Sequence, residues 1–222
     1  MIAWRRGRVP GGPAFLPDAE HISARAPVPG PSGDRRRPRG DERKAMTRDW
    51  RTVALLGDTH GFLDPRIERL ALGCDLVVHT GDVGGRSVLD RLTGPAGAPV
   101  VVAGNNDTRR HWAGDGEAAV DDLPAEARVD LRGGRLLVVH GHRLRARGRH
   151  RRLRRMYPDS AAIVYGHSHR ACVDRDEVPW VLNPGAAGRS RTCGGPACLV
   201  LRADAAGWRT EVRRFAPLPR GS

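Results

Sequence analysis

The chain has 222 residues, 39% hydrophobic and 28% charged, which suits one domain with some excess length. Its formal net charge is +13, and Lys44 is the only lysine; arginine carries the rest, and a surface of this sign draws anions, phosphates foremost. No run of eighteen apolar residues occurs, which excludes a membrane-spanning helix, and the arginines at 5, 6 and 8 lead into no apolar segment, which excludes a secretory signal.

Part of the arginine excess, together with the Ala, Gly and Pro content, reads as codon bias in a GC-rich genome. Aromatic residues make up 5% of the chain, so the core must be built mainly from Val, Leu, Ile and Ala. The four cysteines, Cys74, Cys172, Cys193 and Cys198, form no C-x-x-C pair. They read as small buried hydrophobes in a reducing compartment, and the expected location is cytoplasmic.

Residues 1–45 are dense in Pro, Gly and Arg and lack any hydrophobic period, so they cannot bury enough apolar surface to offset their ordering. They are expected to be disordered, and a translation start at Met46 would account for them; a targeting or nucleic-acid-binding arm is the alternative. From residue 52 short apolar runs recur, each closed by a polar, glycine-containing loop: Thr52–Leu56, Leu76–His79, Pro99–Ala103, Arg135–His140, Ala161–Tyr165, Trp180–Leu182 and Ala197–Leu201. Their length and β-branched content predict buried strands. Helices are predicted at Asp64–Leu72 and Ser87–Leu92, and Ala197–Arg202 with Trp208–Phe215 is spaced as a hairpin. Early βαβ units followed by more β-rich structure predict an α/β sandwich with layered sheets.

Five of these runs end in side chains that bind metals: Gly57-Asp58-Thr59-His60, His79-Thr80-Gly81-Asp82, Gly104-Asn105-Asn106-Asp107, His140-Gly141-His142 and Gly166-His167-Ser168-His169. The carboxyl ends of strands in an α/β sheet are where ligands bind, so five such ends would converge. Asp58 and His60 stand two apart, as do His167 and His169, so each pair can face one side. Carboxylate, imidazole and amide oxygen without thiolate suit Mn²⁺, Fe²⁺, Zn²⁺, Ni²⁺ or Co²⁺. Seven such ligands exceed what one ion needs, so two ions sharing a carboxylate fit better.

In this order the five motifs resemble those of the calcineurin-like metallophosphoesterase family, across most of residues 52–170. Asn183-Pro184-Gly185 is similar to a segment of its small bacterial and archaeal phosphodiesterase branch, although the same three residues suit a simple turn. The resemblance implies an α/β fold, a single-domain four-layer α/β/β/α sandwich over residues 46–216, with 217–222 as a flexible tail. It implies a metal-dependent phosphoesterase, specifically a phosphodiesterase, with two divalent ions, Mn²⁺ foremost. Asp58, His60 and His169 would hold one ion, Asn105, His140 and His167 the other, and Asp82 both. A hydroxide between the ions would attack phosphorus in line, with Asp58, Asp82, Asn105 and His140 as the catalytic set.

Many members of the family carry a His after the motif Asn; here Asn106 stands there and cannot act as a titrating acid. Asn106, Arg109 and Arg110 are the candidate substrate contacts, and Asp107 is expected to orient a neighbour rather than bind metal. His142 is expected near the site without being a ligand, and His21, His79, His111 and His150 are expected at the surface or in packing. Arg143, Arg145, Arg147, Arg149, Arg151, Arg152, Arg154 and Arg155 form a run that is either a solvated face or a phosphate-binding rim for nucleotide or nucleic acid. Two other functions fit the same sequence. One is a non-catalytic protein-binding scaffold resembling the retromer subunit with this domain; the other is a nucleic-acid-binding protein led by its arginines. Neither a membrane partner nor a particular oligomer is implied.

Overall fold

The computed structural model describes residues 52–95, 97–204 and 206–218. The expectations for residues 1–45, for a start at Met46, for His21 and for the last four residues of the tail lie outside them. Among the described residues no helix is long and apolar enough to cross a membrane.

Period-two alternation inside the apolar runs decides the layering. In β1 (Thr52–Leu56) every residue after Thr52 is buried. Val53 and Leu55 pack to one side with Val78, Leu136, Val138 and Val164, while Ala54 and Leu56 pack to the other with Ile67, Ala71, Val88 and Leu92. β5 (Gly134–Val139) splits the same way: Leu136 and Val138 join the first cluster, Leu137 and Val139 a third one with Leu153, Ile163 and Val181. Each strand is therefore sandwiched between a facing sheet and a helix layer, which is why it reads as a continuous apolar run.

Two five-stranded sheets result. The first has the order β10 (Gly207–Arg214), β9 (Ala197–Asp204), β1, β2 (Leu76–His79), β3 (Val100–Val101). The second has the order β4 (Glu126–Leu131), β5, β6 (Ala162–Tyr165), β8 (Trp180–Asn183), β7 (Cys172–Asp174). β1, β2 and β3 run parallel, as do β5, β6 and β8. Helices α1 (Pro65–Leu72) and α2 (Arg86–Leu92) cover the first sheet and α3 (Arg149–Met156) the second, giving the expected α/β/β/α sandwich in one domain.

Two strands were not among the predicted elements. β4 buries only Val129, and all three residues of β7 are half-buried, so neither carries an apolar run. The predicted strand at Pro99–Ala103 shortens to Val100–Val101. The arginine run is part helix, part structural. On α3, Arg149 is buried with Leu153, donates twice to the carbonyl of Leu144 and lies 5.3 Å from the Tyr165 ring centroid. Arg152 donates to the carbonyls of Arg145 and Arg147, and Arg154 to Pro179 O and Asp174 Oδ1. His150 bridges Asp174 Oδ2 at 2.7 Å and Tyr165 Oη at 3.0 Å, which ties α3 to β6 and β7. Only Arg143, Arg145, Arg147, Arg151 and Arg155 of the run are exposed. The cysteines also divide: Cys198 is buried, which pushes its thiol up to about 12, Cys74 and Cys172 are half-buried, and Cys193 is exposed, against expectation.

Helix α1 begins where the sequence supplies a cap. Asp64 is buried in an extended conformation, its Oδ1 accepts the backbone N–H of Arg66, and Pro65 occupies the first turn. The Arg66 guanidinium grips both carboxylate oxygens at 2.9 and 2.7 Å. Burial alone would raise the Asp64 carboxyl, but the hydrogen bonds from Arg66 outweigh it and hold the group below its ordinary value. Replacing the cap in Asp64→Ala should cost about 1–2 kcal/mol, read as a lower denaturant midpoint at pH 7. A carboxyl lowered by folding stabilises above its unfolded value, about 3.9, and loses that contribution as pH falls through the folded one, so the difference between the two proteins should narrow on acidification. An equal gap at pH 7 and pH 2.5 would show that the charge contributes nothing.

Candidate metal centre

Five loops, following β1, β2, β3, β5 and β6, meet at one end of the two sheets. Of the seven candidate ligands, five take positive φ: Asp58 (52°), His60 (49°), Asp82 (54°), His167 (66°) and His169 (57°). Residues with a Cβ rarely adopt this region, and when they do the surroundings must hold them there. Here they are held by main-chain bonds between loops. Asp58 N–H donates to Gly81 O, His60 N–H to Asp82 O and Gly61 N–H to Val83 O, at 2.8–3.0 Å. Asn183 donates from Nδ2 to Gly166 O and Ser168 Oγ, pinning the loop that carries His167 and His169, so its role exceeds that of a turn.

Donor atoms of Asp58, His60, Asp82 and His169 lie within 4.8 Å of one another, and so do those of Asp82, His140 and His167. Asp82 belongs to both groups. Asn105 Oδ1 reaches 3.1 Å from His140 Nε2, which brings all seven candidates together. His142 stays outside both groups, its ring 5.4 Å from that of His140 and its buried Nδ1 without a partner among the described residues.

The neighbours of these side chains decide their chemistry. His140 Nδ1–H donates to Thr80 O at 2.8 Å, so its Nε2 faces Asp82 and Asn105; burial works against its charged form, but the Asp82 carboxylate beside it raises the imidazole above its ordinary value. Burial works against the Asp82 carboxylate, but His140 beside it and two donors from Asn106 hold it well below its usual range. His60, His167 and His169 are lowered chiefly by burial, His169 to about 4, so all three are neutral at pH 7. Burial also raises Asp58 to about 7. Asp58 Oδ2 and His169 Nδ1 are buried with no hydrogen-bond partner among the described residues. Imidazoles, an amide oxygen and two carboxylates gathered in two groups fit a divalent cation and no sulfur-seeking one.

The supporting residues fill in a frame behind the donors. Asp107, expected to orient a neighbour, accepts from Val83 N–H, Gly84 N–H and Trp112 Nε1–H on one oxygen and from Gly104 N–H on the other. It thereby fastens the β3 loop to the β2 loop. His79 is fully buried: Gly81 N–H donates to its Nδ1, its Nε2–H donates to Thr59 Oγ1, and Thr59 donates to Val83 O. His111 is exposed beside Thr108, and both histidines fit the expected packing and surface roles.

The candidate substrate contacts fare differently. Asn106 is spent on Asp82, donating to both carboxylate oxygens at 2.8 Å. Arg109 is paired with Asp121 on the surface, which removes it from the cluster, and Arg110 is exposed without a polar contact to the cluster. Arg191, absent from the expectations, donates to His60 Nε2 at 3.1 Å. It is exposed, makes no ion pair among the described residues, and is the sixth non-glycine residue at positive φ (55°), the other five being the candidate ligands. Nothing marked it in sequence, since it lies in a Gly/Ala/Arg/Ser stretch whose fold toward His60 has no periodic signature.

A sequence profile described as the calcineurin-like phosphoesterase superfamily domain matches residues 52–206. No curated protein sequence matches the chain. Among solved structures, a conserved protein of Streptococcus pneumoniae described as a predicted phosphoesterase has 21% identity, a TM-score of 0.56, and covers 77% of this chain and 94% of its own. Wild-type Vps29 from Entamoeba histolytica, complexed with Zn²⁺, has 19% identity and a TM-score of 0.56, over 74% of this chain and 98% of its own. A novel archaeal phosphodiesterase has 20% identity and a TM-score of 0.51, over 73% and 99%. At these identities the likeness is one of fold.

Gly104 is where the packing of the cluster is least forgiving. A Cβ there would meet Asp82 N and Oδ1 at 2.2 Å, so Asp82 would have to move. Gly104→Ala should lower stability by about 1–3 kcal/mol, measured by thermal or denaturant unfolding. It should also weaken divalent-ion uptake measured by calorimetry; unaltered uptake would mean that Asp82 does not need its present position.

Proposed function

Because the chain belongs to the calcineurin-like phosphoesterase superfamily, we propose that it is a metal-dependent phosphodiesterase whose centre is the Asp82 cluster. The observation that carries the reading is that two groups of candidate ligands share Asp82, with five of the seven residues held at positive φ. Asp58, His60, Asp82 and His169 would hold one divalent ion, and Asp82, Asn105, His140 and His167 a second. Such ions, Mn²⁺ foremost, supply Lewis acidity and the means of ionising a water near neutral pH.

The chain's own residues complete the site. His140, held by Thr80, keeps its Nε2 toward Asp82 and Asn105, and Asn106 fixes the plane of the Asp82 carboxylate. Arg191 stands at the His60 end with an exposed guanidinium that makes no ion pair among the described residues, the right charge and place for a non-bridging phosphoryl oxygen. Arg109, tied to Asp121, is not proposed as a substrate contact. With an amide at Asn106 rather than an imidazole, phosphodiesters with good leaving groups are the proposed substrates.

The scaffold reading has support in the likeness to Vps29. The Entamoeba protein was solved with Zn²⁺, so ion uptake alone does not separate scaffold from enzyme; turnover does. With Mn²⁺ the purified chain should hydrolyse a bis-aryl phosphate, chelation should stop it, and Asp82→Asn should reduce kcat/KM by about a thousandfold or more, the scale of losing one charge-stabilising group outright. Full ion uptake with no turnover on any first-row divalent ion would favour the scaffold. In a separate comparison, Arg191→Ala should raise KM by about tenfold, the scale of one charged hydrogen bond, with Arg191→Lys in between. A KM unchanged in both variants would remove Arg191 from the substrate contacts.

A further inference from the structure

A cavity of about 270 Å³ opens between the end of β5, the loop that follows it and the C-terminal turn of α3. It adjoins the Asp82 cluster, because the candidate ligand His140 lines it, as does Gly104, which packs directly against Asp82. Val139, Leu144, Leu153 and Met156 give it apolar walls, and His142 and the exposed Arg143 line it beside them. Met156 is 53% exposed, an apolar side chain turned to water beside a charged centre. At the strand side lies Glu126, paired with Val139 in the β4–β5 ladder. Its Oε2 accepts from Tyr157 Oη at 2.8 Å and its Oε1 faces Arg128 at 2.7 Å. A carboxylate accepts about four hydrogen bonds, so Glu126 keeps two positions for an occupant.

These walls select among occupants. A purely aliphatic group would match Leu144 and Leu153 but would strip water from Glu126 and return no donor, which is costly. A small polar group would leave the apolar walls uncovered. A planar ring with an N–H donor at its edge satisfies both, and a thioether such as that of Met156 is a favourable neighbour for an aromatic ring. We propose that this cavity seats the nucleobase of a nucleoside phosphodiester, the base amino group donating to Glu126 while the phosphate lies at the Asp82 cluster. The inference rests on the phosphodiesterase reading for the phosphate and on the cavity alone for the base. It also runs the substrate in one direction, base at the His140 end and phosphoryl oxygen toward Arg191 at the His60 end.

The test uses two esters with the same leaving group, adenosine 5′-(4-nitrophenyl phosphate) and methyl 4-nitrophenyl phosphate. The full chain with Mn²⁺ should favour the adenosine ester in kcat/KM by about tenfold or more, the scale of one buried aromatic face. Ala125→Trp, which fills the mouth from an exposed position, and Met156→Asp, which makes the opposite wall polar, should each abolish that preference. Adenosine alone, carrying no phosphate, should bind the metal-free protein saturably by NMR titration and lose this binding in both variants. In Glu126→Gln the preference for adenosine over purine riboside, which lacks the amino group, should fall. Equal kcat/KM for the two esters, or a preference surviving both blocking variants, would overturn the proposal. If neither ester is hydrolysed, the phosphodiesterase reading fails, and the adenosine titration still decides the cavity: saturable binding lost in the variants supports it, and no binding overturns it.

Discussion

The site depends on how one carboxylate, Asp82, is held. It is buried at the meeting point of both candidate ligand groups, and its two oxygens are each engaged by Asn106. A buried carboxylate is tolerated only when its surroundings favour the charge, and here Asn106 and His140 do so against the cost of burial. Asp58 has a different balance. Burial dominates it, raises it to about 7 and leaves its Oδ2 without a partner among the described residues, whereas Asp82 is held low. A divalent ion would partner the bare Asp58 Oδ2 and the donor atoms gathered around Asp82, which is the physical case for the proposed centre.

Holding Asp82 is the work of several loops at once. Asp107 takes four donors from the β2 and β3 loops and the Trp112 indole, and His79 passes a hydrogen bond through Thr59 to Val83. These bonds lie behind the donors rather than among them. They explain how five residues stay in a backbone region that costs on the order of 1–3 kcal/mol each. The cost is spread over a frame that has two apolar sheets beneath it.

Much of this was legible in the sequence, for a reason that also sets its limits. Strands buried on both faces are largely apolar, so where β1, β5 and β6 end the first polar residues stand out, Asp58, His140 and His167, and Asp82 follows three residues after the His79 that closes β2. β4 and β7 lie at the edges of their sheet, bury little, and left no run to see. Arg109 looked close because it follows a ligand motif by a few residues, yet the chain turns there and Asp121 captures it. Arg191 looked remote for the opposite reason, and only the return of the chain after β8 brings it to His60. Spacing along the chain thus located residues carried on strand ends and failed for residues carried on long loops. The same holds for the arginine run, where burial and carbonyl contacts on α3 take up Arg149, Arg152 and Arg154 and leave a smaller exposed charge than the sequence suggests.

The two ends of the cluster are unlike, and that difference bears on what the fold can be used for. At the His60 end stands an exposed guanidinium that makes no ion pair among the described residues; at the His140 end stands a cavity with apolar walls, the Glu126 carboxylate and the exposed Arg143. Under the proposed function a phosphoester with an organic ring on one side would use both ends together, the anion at Arg191 and the ring in the recess. The common fold accounts for the donors between them. The residues proposed to meet the substrate are carried by the loop after β8 and by the segment around α3, outside the strand ends that carry the family's motifs.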